Sequence, residues 1–251
     1  MFSRVKEVKK SQGDFGGKKT ALDRNSKVYY NVVQLYQKIE HWRSMLIPEG
    51  RKNILKVFLR DSFTEIHLRE ISRLAKASLT NVDNTMRLLV KNGMFVKREV
   101  ANSTFFRPEL ENEEMQKVFE LLEMERRKGF FEKNKNIARL LKKYTDSIVE
   151  LSGSRIQLVI LFGSVARGEW KKGSDIDILA VVSENDNDIV NILNKAKIDV
   201  SPLLEIRPIS TTMDKFAEGF KEQTEFYRNI WKDRIVLYND FIFWQMVKNN
   251  N

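Results

Sequence analysis

Two continuous apolar runs, separated by a short polar segment, constrain this chain more than any other feature. The first is Gln157-Leu158-Val159-Ile160-Leu161-Phe162, and the second follows Asp175 as Ile176-Asp177-Ile178-Leu179-Ala180-Val181-Val182. Runs of this length suit strands buried on both faces. Gly163-Ser164 comes straight after the first run. Val165 to Trp170 is helix-compatible, and Lys171-Lys172-Gly173-Ser174 turns the chain back.

This layout puts chemistry at one end of a strand pair. Asp175 and Asp177 stand at i and i+2, so on a strand they project to one face. Their Cα atoms are expected about 6.5 Å apart, from a rise of about 3.3 Å per residue. Ile176 and Ile178 then point into the opposite layer. Two carboxylates this close repel each other and raise one pKa. One or two hard divalent cations such as Mg²⁺, or a shared proton, resolve the conflict. Gly163 lets the backbone approach a phosphate, Ser164 adds a hydroxyl, and amides opening onto a helix favour an anion. A metal pair beside a phosphate cradle is the equipment of phosphoryl transfer from a nucleoside triphosphate.

Gly163-Ser164, ten residues, then Asp175-Ile176-Asp177 resembles the signature of the DNA polymerase beta-like nucleotidyltransferase superfamily. The string GSVARGEWKKGSDIDILAVV is similar above all to the minimal nucleotidyltransferases of archaea and bacteria. The resemblance implies that Asp175 and Asp177 bind Mg²⁺ and that Gly163, Ser164, Arg167 and Ser174 meet the nucleotide. It also implies a third carboxylate on a later strand, a ligand of the same metal ions and able to take a proton from the attacking hydroxyl. Glu205, in Glu205-Ile206-Arg207-Pro208-Ile209, is the preferred candidate. Asp199 is the rival if that strand begins earlier, and Pro202 separates the two.

Other residues around the motif carry two readings each. Arg167 either contacts a triphosphate or pairs with Glu169. Lys171 and Lys172 either steer the nucleotide or belong to a solvated turn, and Trp170 either stacks on a base or packs. Phe226, Tyr227, Ile230 and Trp231 keep a helical period and read as core. Arg234 to Tyr238 resembles the closing strand-like segment of such domains. The apolar end, Phe241 to Val247, is expected to cover a neighbouring element or a second subunit, the latter making a homodimer.

The other half of the chain is set apart by charge. Lys and Arg outnumber Asp and Glu by ten to four in residues 1–46 and by twelve to seven in residues 47–110; beyond 110 the count is 22 to 23. The whole net charge of +10 therefore lies in the first 110 residues. That asymmetry fits a polyanionic partner. From Arg51 the order of parts is a helix (Ile54, Leu55, Val57, Phe58, Leu59) and a short extended piece at Glu65-Ile66-His67. A helix over Leu68–Lys76 follows, then a tight connection at Ala77-Ser78 and a third helix capped by Ser78 or Thr80. Two strand-like runs, Met94–Val100 and Thr104–Arg107, turn at Ala101-Asn102-Ser103. This order is similar to a winged helix domain. The resemblance implies that the third helix enters a DNA major groove, with Ser78, Thr80, Asn81 and Asn84 near its start. Arg87, Lys91, Lys97 and Arg98 are the expected phosphate contacts. Some winged helices are protein-protein modules instead.

Composition closes other routes. The chain has no cysteine, which excludes disulfides, thiolate metal sites and a cysteine nucleophile, and it has only two histidines. It has no apolar run long enough to span a membrane and no signal-peptide core, so a cytoplasmic protein is expected. The expected fold class is α+β, an N-terminal winged helix domain plus a C-terminal nucleotidyltransferase domain whose small mixed sheet is flanked by helices. The expected organisation is a flexible basic tail (1–26), an N-terminal helix (27–48), a winged helix-turn-helix domain (49–110), a connecting helix (111–129) that Gly129 splits from the next, and a nucleotidyltransferase domain (130–251). The expected activity is Mg²⁺-dependent transfer of a nucleoside monophosphate from an NTP to an unidentified hydroxyl acceptor, a protein side chain being one class. The alternative is a DNA-binding transcriptional regulator whose nucleotidyltransferase fold is a degenerate nucleotide-binding or dimerisation module.

Overall fold

The computed structural model describes residues 47–60, 62–171, 173–200, 205–222 and 224–249. The expected basic tail, nearly all of the expected N-terminal helix, Lys172 and Pro202 lie outside the described residues. Contacts divide the chain after Pro48, and everything from Glu49 onward forms one compact unit.

The unit begins with α1 (Glu49–Arg60), whose Ile54, Leu55, Phe58 and Leu59 are spaced for one face and are buried there. A two-residue strand, β1 (Ile66–His67), leads into α2 (Leu68–Ala75), which ends on Lys76 in the left-handed region. Ser78 caps α3 (Leu79–Lys91): its side chain accepts from the Asn81 amide, so the cap is Ser78, and Thr80 lies inside the helix. The strands β2 (Phe95–Val100) and β3 (Ser103–Pro108) form a hairpin, with Ala101 at φ 50° in the turn. With β1 they make a three-stranded antiparallel sheet in the order β1-β3-β2. Phe58 meets Phe95 edge to face at 4.7 Å, which locks α1 onto this sheet. Fully burying a side chain of this size contributes about 1.5–3 kcal/mol.

A long helix, α4 (Glu113–Lys133), follows, capped by Asn112 accepting from the Met115 amide at 2.9 Å. It runs straight through Gly129. The break comes at Asn134, after which α5 (Lys135–Ser152) begins. A single helical glycine costs only about 1 kcal/mol relative to alanine, and buried Phe130 beyond it anchors the last turn.

The second sheet holds β4 (Ile156–Phe162), β5 (Ile176–Val182), β6 (Ile206–Thr212) and β7 (Ile235–Tyr238), in the order β6-β5-β4-β7. It is mixed: β5 pairs antiparallel with β4 and parallel with β6. The parallel pair requires a crossover, supplied by α7 (Asn187–Val200). Pro208 lies in β6, at the sheet edge, where a missing N–H is tolerated.

The two faces of this sheet are covered differently. Ile137, Leu141, Tyr144 and Ile148 of α5 and Ile189 and Leu193 of α7 pack on Val159, Leu161, Ile176, Ile178 and Ala180. The alternate set, Leu158, Ile160, Leu179 and Val181, is equally buried on the other face. Elements contacting β4, β5 or β6 on their remaining sides include α8 (Met213–Lys221), α9 (Glu225–Asp233) and α10 (Asp240–Asn249). Phe243, Trp244, Met246 and Val247 of α10 are buried in this chain's own fold, and α10 contacts α4 and β4. The apolar end thus covers neighbouring elements. No helix among the described residues is long and apolar enough to cross a membrane.

A buried ion pair ties the parts together. Arg234 and Glu123 have fully buried side chains and pair with each other. Arg234 Nη2 also donates to the Leu59 carbonyl at the end of α1, 3.1 Å away. Its guanidinium lies 4.0 Å from the Trp231 ring centroid and 4.7 Å from that of Phe243. Burial pushes the Arg234 pKa down to about 10, and Glu123 opposes that shift.

Candidate active site

The end of the β4–β5 pair carries the polar residues. Phe162, the last residue of β4, is opposite Asp177 of β5. Ile176 and Ile178 belong to the cluster under α5 and α7, so Asp175 and Asp177 project from the other face. Gly163 turns the chain at φ 75°, and a Cβ built on it would lie 2.5 Å from Asp177 Oδ2. The position admits no side chain on two grounds, its backbone conformation and its contact with the carboxylate.

Asp177 is half-buried. Its pKa is raised, first by loss of solvent and then by the negative charge of Asp175, with Arg207 opposing. The helix after Gly163 is a single turn, α6 (Gly163–Ala166), shorter than the run to Trp170 expected from sequence. Gly168 at φ 82° stops it. With one turn the helix field is small, so any phosphate contact rests on the loop itself and on Ser164. Ser164 is half-buried.

The remaining expected residues divide. Arg167 is held by two acids: Nε donates to Glu169 Oε2 at 3.0 Å and Nη1 to Asp233 Oδ2 at 3.1 Å. These bonds raise its pKa. Ser174 closes the turn, accepting from the Lys171 amide at 3.0 Å. Glu205 immediately precedes β6, and its carbonyl accepts from the Ile176 amide at 2.8 Å. Its side chain is 64% exposed and lies 3.8 Å from Arg207 Nη2. Asp199 is in the last turn of α7, in a helix and not on a strand.

Arg207 was not anticipated from the sequence. It is in register with Asp177 across the parallel β5–β6 pair, so both side chains leave the same face. Arg207 Nη1 donates to Asp175 Oδ2 at 2.8 Å. A guanidinium therefore stands among Asp175, Asp177 and Glu205. Among the described residues, no three His, Cys, Asp or Glu side chains gather closely enough to hold a metal ion.

Phe226 is the second surprise. Read as core, it is 39% exposed, and its ring meets Phe162 edge to face at 5.7 Å. An exposed aromatic ring therefore lies beside the residue that precedes Gly163. Ile230 and Trp231, one turn further along α9, are buried as expected, and Tyr227 is half-buried. Trp170 is 38% exposed.

Does this site fit a hard divalent cation? The donor set of Asp175 and Asp177 does: both are hard oxygen ligands on one face, with Gly163 leaving the space a Cβ would fill. Glu205 is not gathered with them.

The expected DNA-facing residues Ser78, Thr80, Asn81, Asn84, Arg87, Lys91, Lys97 and Arg98 are all exposed. Several are already engaged. The Ser78 hydroxyl caps α3. Arg87 pairs with Asp83 at 2.8 Å, Lys97 with Glu99, and Arg98 with Glu65.

Comparison with known proteins agrees with the site-bearing part. Residues 141–238 match the nucleotidyltransferase domain family. Two similar proteins of Methanocaldococcus jannaschii carry the name Putative protein adenylyltransferase. The first, MJ0604, is 29% identical over 105 residues, covering 41% of this chain and 99% of that protein. The second, MJ0141, is 29% identical over 93 residues, covering 34% of this chain and 94% of that protein. No solved structure matches the chain.

Proposed function

We propose that this protein transfers a nucleoside monophosphate, AMP for choice, from an NTP to a hydroxyl group, and that the acceptor is a protein side chain. The observation that carries this reading is the closure of Gly163 on Asp177 beside Asp175, within the segment that matches the nucleotidyltransferase domain family. The names of the two archaeal relatives support adenylyl as the group and protein as the acceptor.

In this reading Asp175 and Asp177 hold one or two divalent cations, taken as Mg²⁺. When bound, Mg²⁺ supplies charge neutralisation at the triphosphate and at the departing oxygens. The Gly163-Ser164 loop holds the triphosphate, with the Ser164 hydroxyl as a donor, and the exposed ring of Phe226 receives the base. The acceptor oxygen forms a bond to the α-phosphorus. The bond from that phosphorus to the bridging oxygen breaks, pyrophosphate leaves, and Glu205 takes the hydroxyl proton. Arg167 and Ser174 shape the loop and turn around the nucleotide.

Residues 49–108 we read as a winged helix. Support comes from the order helix, strand, helix, helix, hairpin and from the β1-β3-β2 sheet. Its α3 would enter a DNA major groove, where the ion pairs of Arg87, Lys97 and Arg98 exchange their acids for phosphates. The second reading, a DNA-binding regulator with a degenerate transferase fold, draws on the cation of Arg207 lying among the carboxylates.

The test uses ATP labelled at the α- or the γ-phosphate, with an extract of the source cells as acceptor. Label from the α-position should enter protein, and label from the γ-position should not. Both the Asp175→Asn and the Asp177→Asn forms should lose it. Transfer that persists in both forms, or that follows the γ-label, sinks the proposal. For the winged helix, log affinity for duplex DNA should fall with log salt by about 0.9 for each phosphate neutralised. A flat salt response would reject it.

A further inference from the structure

A cleft of about 1130 Å³ opens elsewhere in the unit, between α1, β1 and α2 on one side and α9 on the other. Its size is slightly above the range of about 300–1,000 Å³ of ordinary small-ligand pockets. The wall is apolar at Val57, Leu74 and Trp231, and Leu74 is 46% exposed there. Five cations line it: Lys56, which pairs with Glu125, and Arg60, Lys76, Arg228 and Lys232, for which no acid partner is found among the described residues. The two acids of the lining are already committed: Glu65 accepts from Arg98 Nε at 2.6 Å and Glu70 from Arg73 Nε at 2.8 Å. The cleft therefore presents uncompensated positive charge around an apolar wall.

We infer that this cleft binds a nucleotide unit, either a free mononucleotide or the phosphorylated end of a strand. The apolar wall suits the base, and the cations Arg60, Arg228 and Lys232 suit the phosphate. The inference stands apart from the transfer reaction, because none of the cleft residues belongs to the Asp175–Asp177 site. The two sites share α9: Phe226 and Asp233 meet Phe162 and Arg167, while Arg228, Trp231 and Lys232 line the cleft.

Calorimetric titration of the full chain in EDTA, with AMP and with a 5′-phosphorylated tetranucleotide, tests it. EDTA removes metal-dependent binding at the aspartates. Binding of at least one ligand is expected, weakened about tenfold or more by Arg60→Glu with Arg228→Glu. Leu74→Glu, at an exposed position that leaves the core intact, should weaken it too. The Asp175→Asn/Asp177→Asn form should bind as the wild type does. Binding of AMP identifies a mononucleotide site, and binding of the tetranucleotide alone identifies a strand-end site. Thermal melts confirm that each variant is folded. The inference is overturned if neither ligand binds, if folded cleft variants bind unchanged, or if the aspartate variant is the one that loses binding.

Discussion

Arg207, at the edge of the mixed sheet, donates across 2.8 Å to Asp175, which immediately precedes the neighbouring strand. The two strands are parallel, and Arg207 is in register with Asp177. The guanidinium thus balances the carboxylates that a divalent cation would otherwise bring together. Cation and arginine compete for the same charge. Arg207→Ala should therefore bind Mn²⁺, a spectroscopic stand-in for Mg²⁺, about three- to tenfold more tightly, from the loss of one nearby positive charge in a partly solvated site. Counting bound Mn²⁺ by electron paramagnetic resonance measures this without any acceptor. Weaker binding in Arg207→Ala would show that Arg207 organises the aspartates for the ion.

Gly163 should tolerate nothing larger. Its φ of 75° costs a side-chain-bearing residue about 1–3 kcal/mol, and the new Cβ would press on Asp177 Oδ2. Gly163→Ala is expected to remain folded with a lowered melting temperature, and to lose the stabilisation given by NTP with Mg²⁺. Gly129→Ala is the control: a Cβ there meets nothing within 4 Å, so it should melt at or above the wild-type temperature and keep its nucleotide response.

Asp177 gives the site a pH signature. Its folded pKa is raised by lost solvent and by Asp175, so the native state holds this proton more tightly than the unfolded chain does. The stability it contributes is fully present below the unfolded value, about 3.9, and is lost as pH rises through the higher folded value. In EDTA, the melting temperature of the wild type relative to Asp177→Asn should therefore rise as pH is lowered toward 4. Divalent cation binding should show the opposite trend and weaken on acidification, because the proton and the ion compete for the carboxylate. A wild-type advantage that shrinks toward acid would mean that Asp177 is held ionised.

The Glu123–Arg234 pair is the energetic hinge of the unit. Removing one member leaves the other buried and unpaired, at a cost of about 3–5 kcal/mol. Arg234→Met should be destabilised to that extent in urea unfolding. Adding Glu123→Leu to it should restore much of the loss, since an apolar pair of similar volume is often neutral. If Glu123→Leu alone and Arg234→Met alone add up to the loss in the double variant, the pair is not coupled.

The legible parts of this molecule were local ones. The strands β4 and β5 followed from uninterrupted apolar runs, and the common face of Asp175 and Asp177 followed from strand period alone. Ser78 and the Ala101 turn were likewise written in neighbouring residues. Arg207 was not legible, because its meaning depends on β6 lying parallel to β5 in one register, across the α7 crossover. Phe226 was misread for a related reason. It keeps the helical period of Ile230 and Trp231, yet it sits one turn before them, where the start of α9 meets Phe162 at the end of β4. Arg234 resembled part of a strand-like closing run, and nothing around it in sequence announced Glu123 on α4. The helix break showed the weakness of single-residue signals: Gly129 was overruled by buried Phe130, and Asn134 ended the helix.

The most direct test is a thermal-shift titration with ATP, GTP, CTP and UTP, each with and without Mg²⁺, on the wild type and on Asp175→Asn/Asp177→Asn. Any ligand that binds the native state raises its stability, by about 2.7 kcal/mol at a hundredfold excess over Kd, and no acceptor is needed. The account predicts a Mg²⁺-dependent shift, largest with ATP, that disappears in the aspartate variant. A shift of the same size in the variant, or none with any nucleotide, would contradict it.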